Sequence, residues 1–99
     1  MADALILEFD DVTREHYDAV NAALGLNPQT GEGDWPPALR FHSGAGKPGG
    51  WVVFEVWESQ AAQEEWMHGR LGAALQEVGV PPPARVEWLD VAAHLTTGT

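Results

Sequence analysis

The chain has 99 residues, no cysteine, and 15 acidic against 5 basic side chains, for a net charge of −10. That length holds one domain that buries only about two thirds of its unfolded surface, so a partner subunit would stabilise it. The charge argues against a nucleic-acid backbone or an anionic membrane as partner, and the lack of cysteine excludes disulfides, thiolate metal sites and a thiol nucleophile. No apolar stretch approaches the roughly 20 residues of a membrane span. The first residues lack the basic region of a signal peptide, so a cytoplasmic location is expected.

Residues 4–9 form a short apolar run closed by Asp10 and Asp11 and read as a buried strand. Thr13 then caps a helix over 14–24, with Tyr17, Val20 and Leu24 at helical spacing and Gly25 as its stop. Residues 26–37 are dense in Gly, Pro and Asp and read as a loop, with Trp35 packed back on the protein. Residues 38–43 alternate like a strand, and 44–50 read as a hairpin connection. Residues 51–57 are the strongest strand, rich in β-branched and aromatic side chains. Ser59 caps a second helix over 60–78 that Gly69 and Gly72 weaken, and Gly79 with three prolines at 81–83 ends it. Residues 84–91 make a fourth strand, and 96–99 a frayed tail after a single domain over 1–95.

The order βαββαβ predicts an α+β, ferredoxin-like sandwich with a four-stranded antiparallel sheet. His16 and His68 on the helices, and His42 and His94 on or after strands, suggest a pseudo-repeat of the two halves. Alternation yields one apolar set (Leu5, Leu7, Phe9 with Val52, Phe54, Val56) and one mixed set (Glu8, Arg40, His42 with Trp51, Glu55, Trp57). The fourth strand fits either way. Two helices cover one face only, so the other is expected to meet a second copy of the chain through its sheet.

Several features resemble the dimeric α+β barrel superfamily, and within it the small proteins near the antibiotic-biosynthesis-monooxygenase-like group. They are Tyr17 in the first helix, His42 late in the second strand, Gly50 before the third, the Val56–Ser59 junction, Trp66, Arg70–Leu71 and Gly79. The resemblance implies two subunits pressing their sheets into a barrel, each keeping a small-molecule pocket between sheet and helices. It also implies oxidation of polyketide-like aromatics without a cofactor, degradation or binding of haem, or no known activity. A histidine about seven residues after the junction serine is common in such relatives, and Trp66 stands there in this chain.

The candidate catalytic residues are His42 as base, Arg40 two residues away as the stabiliser of an anion, and Glu55 as a carboxylate paired with Arg40 across the strands. Glu8 is a weaker carboxylate of the same kind. Tyr17, Trp35, Trp57 and Trp66 are the candidate substrate-binding aromatics, His16 and His68 being solvent-side. No metal-ligand spacing, phosphate loop or nucleophile elbow is present. The expected ligand is a small apolar or aromatic molecule. One reading is a cofactor-free monooxygenase-like enzyme. The alternative is a non-catalytic homodimeric module that binds a ligand or a protein. No cofactor is expected, with haem held by histidine as the other possibility.

Overall fold

In the computed structural model, which describes residues 2–93, the elements are β1 Asp3–Asp10, α1 Arg14–Leu24, β2 Leu39–Lys47, β3 Gly50–Trp57, α2 Gln60–Trp66, a π turn Met67–Leu71, α3 Gly72–Val78 and β4 Arg85–Asp90. His94 and the expected tail lie outside the described residues. Both expected caps form. The Thr13 hydroxyl accepts from the His16 backbone, and His16 Nδ1 accepts the Thr13 N–H in return at 3.0 Å, closing a capping box. The Ser59 hydroxyl accepts the Ala62 N–H at 3.2 Å. The helix expected over 60–78 breaks where its glycines fall: Gly69 leaves helical geometry at φ −106°, ψ −113°.

The sheet order is β2-β3-β1-β4, all antiparallel, which is the ferredoxin-like α+β arrangement. Two expectations are corrected. Residues 44–47 are strand, paired with 50–53, and only Pro48 and Gly49 turn. The two face sets were also joined in the wrong phase. Alternation settles faces within a strand, but register settles them between strands. Leu5 lies opposite Glu55, Leu7 opposite Val53 and Phe9 opposite Trp51. The face beneath the helices therefore joins Leu5, Leu7 and Phe9 to Trp51, Val53, Glu55 and Trp57. Trp88, opposite Leu5, puts the Val86–Trp88–Asp90 phase of β4 on that same face.

A β-bulge between Leu39 and Phe41 then re-aims β2. Leu39 pairs with Trp57, Phe41 with Val56 and His42 with Glu55. His42 thus joins the helix-side face and Phe41 the open one.

The helix-side core is a buried cluster of Leu5, Leu7, Phe9, Val12, Trp51 and Val53, against which Tyr17, Met67, Val80 and Trp88 pack. The open face carries Phe41, Phe54 and Leu89, which are 44%, 37% and 44% exposed. Phe41 and Phe54 meet edge to face at 6.0 Å. Glu8 belongs to this open face, opposite Val52 and Arg85, so it does not join Glu55. Hydrogen bonds from Arg85 and Lys47 hold its carboxyl below the usual glutamate range.

Candidate functional site

A chain of polar contacts crosses the helix-side face where β2, β3 and α1 meet. Glu55 is 6% exposed at the centre of β3. Its Oε1 accepts the Trp57 indole N–H at 2.9 Å and its Oε2 lies 2.7 Å from His42 Nδ1. With Glu55 as the carboxylate, Nδ1 carries the proton, and Nε2 is left to accept the Tyr17 hydroxyl. The Tyr17 and His42 rings are parallel to within 3° at 5.9 Å. This is the logic of nucleophile, base and orienting carboxylate, with a phenol in the first position.

Tyr17 reaches His42 because Gly44 has no side chain. A Cβ built on Gly44 would stand 2.6 Å from Tyr17 Cζ, well inside van der Waals contact. Trp51 packs against the same ring, with centroids 4.9 Å apart and the planes tilted by 34°. Burial pushes the Tyr17 phenol above its usual range, the Asn21 amide opposes that shift, and the Glu55 charge reinforces it.

The chain ends in the wall of an apolar chamber of about 70 Å³. Tyr17, His42 and Glu55 share that wall with Trp35, Trp66 and Trp51. A water needs about 10–15 Å³ and benzene fits a cavity of about 150 Å³, so the chamber as it stands is smaller than a ring requires. Two outer hollows flank it. One, of about 560 Å³, is bordered by Tyr17, Asn21, His42 and Trp51, with Arg14 and Asp18 at its rim. The other, of about 580 Å³, is bordered by Trp35, Trp57, Trp66 and Arg70.

Arg70 closes the second side. Its guanidinium donates to the carbonyls of Leu24 at 3.1 Å and Asp34 at 3.0 Å and lies 5.0 Å over the Trp66 ring. The break at Gly69 gives this arginine its place between the end of α1 and the 26–37 loop. Trp35 is pinned by its indole N–H to the Glu32 carbonyl at 3.1 Å, and its ring lies 5.5 Å from His42.

Of the residues singled out from sequence, His42, Glu55, Tyr17, Trp35 and Trp66 converge on the chamber. Trp57 does not line it; fully buried, it lies behind Glu55 and holds the carboxylate. Arg40 is not with His42. The bulge breaks the i, i+2 relation, and its guanidinium sits 3.5 Å from Glu58, both side chains half-exposed. His42 takes the place beside Glu55 that was expected of Arg40. His16 lines the chamber while engaged in its cap, and His68 is exposed.

Sequence reasoning passed over Asn21 and Gly44. Asn21 had a signal, since it lies four residues after Tyr17 on the apolar stripe of α1. Its Nδ2 and the Trp51 Nε1 are buried without a hydrogen-bond partner among the described residues.

No group of three or more His, Asp or Glu among the described residues could hold a metal ion. Both ring nitrogens of His42 are engaged, and His68 stands outside the chamber, so neither of these two is placed to ligate a haem iron there. No helix among the described residues is long and apolar enough to cross a membrane.

No family model matches the chain, and no curated protein does. Solved structures do match over nearly the whole length. A proposed antibiotic biosynthesis monooxygenase from Chloroflexus aurantiacus superposes with a TM-score of 0.66 at 14% identity, covering 99% of this chain and 100% of that one. Rv0793 from Mycobacterium tuberculosis gives 0.63 at 19% identity, covering 97% and 100%. SnoaB, a cofactor-independent oxygenase from Streptomyces nogalater, gives 0.62 at 9% identity, covering 97% and 98%. At these identities the likeness is one of fold.

Proposed function

We propose that this chain, which has the fold of the antibiotic-biosynthesis-monooxygenase-like structures, is a small-molecule enzyme that removes a proton from an apolar or aromatic metabolite. The observation that carries the reading is the Tyr17–His42–Glu55 chain ending in an apolar chamber. His42 draws the proton from Tyr17, and the resulting phenolate takes one from the substrate. Glu55 orients the imidazole and balances the imidazolium. Arg40 has no part in this chemistry.

Without a cofactor, the deprotonated substrate is the reductant of O₂. A CH₂ group and O₂ then give C=O and water, with all four electrons drawn from the substrate. Because the chamber is smaller than a ring, binding includes a shift of the Trp35 loop or of the Trp66 turn.

The test is a thermal-shift screen of aromatic ketones and phenols. Each hit is followed by oxygen uptake and by anaerobic exchange of the ligand's acidic C–H in D₂O. We expect exchange and uptake with the parent, and both reduced about 10²–10⁴-fold in Tyr17→Phe. Binding with neither exchange nor uptake would instead establish the second reading, a non-catalytic ligand-binding module, which the small volume of the chamber favours.

The same reading pairs two copies through their open sheet faces, around Phe41, Phe54 and Leu89. Sedimentation at micromolar concentration should give twice the chain mass for the parent and the single-chain mass for Phe54→Asp. A parent that sediments as one chain overturns the pairing.

A further inference from the structure

A proton transfer from Tyr17 to His42 creates two charges in a place with little water. The O–H bond of the phenol breaks, an N–H bond forms on His42 Nε2, and no electron leaves either ring. The positive end is provided for, because Glu55 already sits 2.7 Å from His42 Nδ1. The negative end, on the Tyr17 oxygen, needs a donor.

No cation donates a hydrogen bond to it, although the charge of Arg14 across the outer hollow favours the phenolate and that of Asp18 opposes it. All five Lys and Arg side chains are engaged with carboxylates: Arg14 with Asp18, Arg40 with Glu58, Lys47 with Glu8, Arg70 with Asp34, and Arg85 with Glu8 and Glu87. None of them lines the inner chamber.

One neutral group is placed for the role. Asn21 stands four residues after Tyr17 on α1, so the two share a helix face. It is 7% exposed, and with Tyr17 it borders both the chamber and the outer groove. Its Nδ2 has no hydrogen-bond partner among the described residues. Proteins rarely leave such a donor orphaned, because burying it unpaired is costly. Asparagine is also a poor residue for a helix interior. Leucine would fill the same space without either penalty. No hydrogen bond of ordinary geometry joins the amide nitrogen to the neutral phenol, yet the amide favours the loss of the phenol's proton.

We propose that Asn21 is the positioning residue for the ionised state of Tyr17: its amide is unpaired at rest and donates to the phenolate oxygen once His42 has taken the proton. The site then has one partner for each charge it creates, Glu55 at the imidazolium and Asn21 at the phenolate. An unpaired donor in the resting state is what makes this partner selective, since it favours the reacting state over the ground state. The inference rests on the proton-transfer reading of the Tyr17–His42 pair, and it is testable without any substrate.

Tyr17 is the single tyrosine of the chain, so phenolate absorbance reports it alone. A fluorinated tyrosine, whose phenol ionises at lower pH, can be incorporated to keep the titration within the range where the protein is folded. We expect Asn21→Leu to move this ionisation to higher pH by about one to two units, a tenfold to hundredfold loss of phenolate at a given pH. We also expect Asn21→Leu to melt no lower than the parent, because it removes a buried orphan donor. Asn21→Ala, which leaves a smaller side chain, should shift the titration in the same direction and serves if the leucine variant does not fold. A titration that stays in place in a folded variant overturns the proposal and reduces Asn21 to a structural residue. Failure of the enzymatic reading looks different: an unreactive protein whose phenol still shifts on Asn21→Leu keeps the assignment and loses the catalysis.

Discussion

His42→Ala should lower the stability of the fold by about 3–5 kcal/mol, far more than truncation of a half-exposed imidazole would. The side chains of His42 and Glu55 are 14% and 7% exposed, and they meet at 2.7 Å. Alanine leaves the carboxylate with the Trp57 indole as its remaining partner and deprives the Tyr17 hydroxyl of its acceptor. A buried charge with half its partners gone is the costly case; a pair removed together is not. The double variant His42→Ala/Glu55→Gln should therefore recover much of the loss, since the amide oxygen of glutamine still accepts from Trp57. In a domain of this size the single variant corresponds to a melting temperature lower by on the order of 12–40 °C. Thermal or urea melts of parent, single and double variants decide it. A single variant that melts like the parent would show that the contact does not hold the carboxylate in the core.

Gly44→Ala should separate Tyr17 from His42 without altering either residue. The added Cβ would stand 2.6 Å from Cζ, 2.8 Å from Cε1 and 2.8 Å from the hydroxyl oxygen of Tyr17. β2 cannot withdraw, because Gly44 is paired to Val53 within a strand linked along its length to β3. The ring must move, and Asn21, Trp51 and the chamber wall move with it. Overpacking of this kind costs about 1–3 kcal/mol. A displacement near 1 Å at a reacting group costs on the order of 10²-fold in rate.

The pH dependence provides a second readout. Burial holds the Tyr17 phenol above its usual range, so the folded state keeps a proton that the unfolded chain loses near pH 10. That contribution is fully present below the unfolded pKa and is lost as pH rises through the folded one. In Gly44→Ala the displaced ring meets more solvent, and its absorbance titration should fall back toward that of the unfolded chain. A variant with the parent's titration and stability would mean that β2 yields after all.

The order of elements was legible because each carries its own local signal. Thr13 and Ser59 announce their helices, the β-branched run over 51–57 announces its strand, and Gly69 marks the break in the second helix. The site was legible as residue types, and His42, Glu55, Tyr17, Trp35 and Trp66 do come together on one chamber. What escaped were relations between strands. The phase of β1 against β3 is a property of the register, which neither strand contains. The glycines at 44 and 46 resemble a turn by composition, and only the ring of Tyr17 lying over Gly44 explains why a strand keeps one there. Arg40 was placed beside His42 by a two-residue rule that holds for a regular strand and fails at a bulge. The place of Asn21 four residues after Tyr17 is legible in the sequence, but its missing partner is visible only in three dimensions.

The bulge at Arg40 carries a consequence for how such a site tolerates change. Arg40 is the one residue of β2 without a partner on β3, so loss of its codon would restore strict alternation and leave Leu39 opposite Trp57, Phe41 opposite Val56 and His42 opposite Glu55. The histidine would still face the glutamate. Descendants of one gene could in this way differ in the length of the strand that carries the imidazole and keep the same site, so an alignment gap there would not mark a change of reaction.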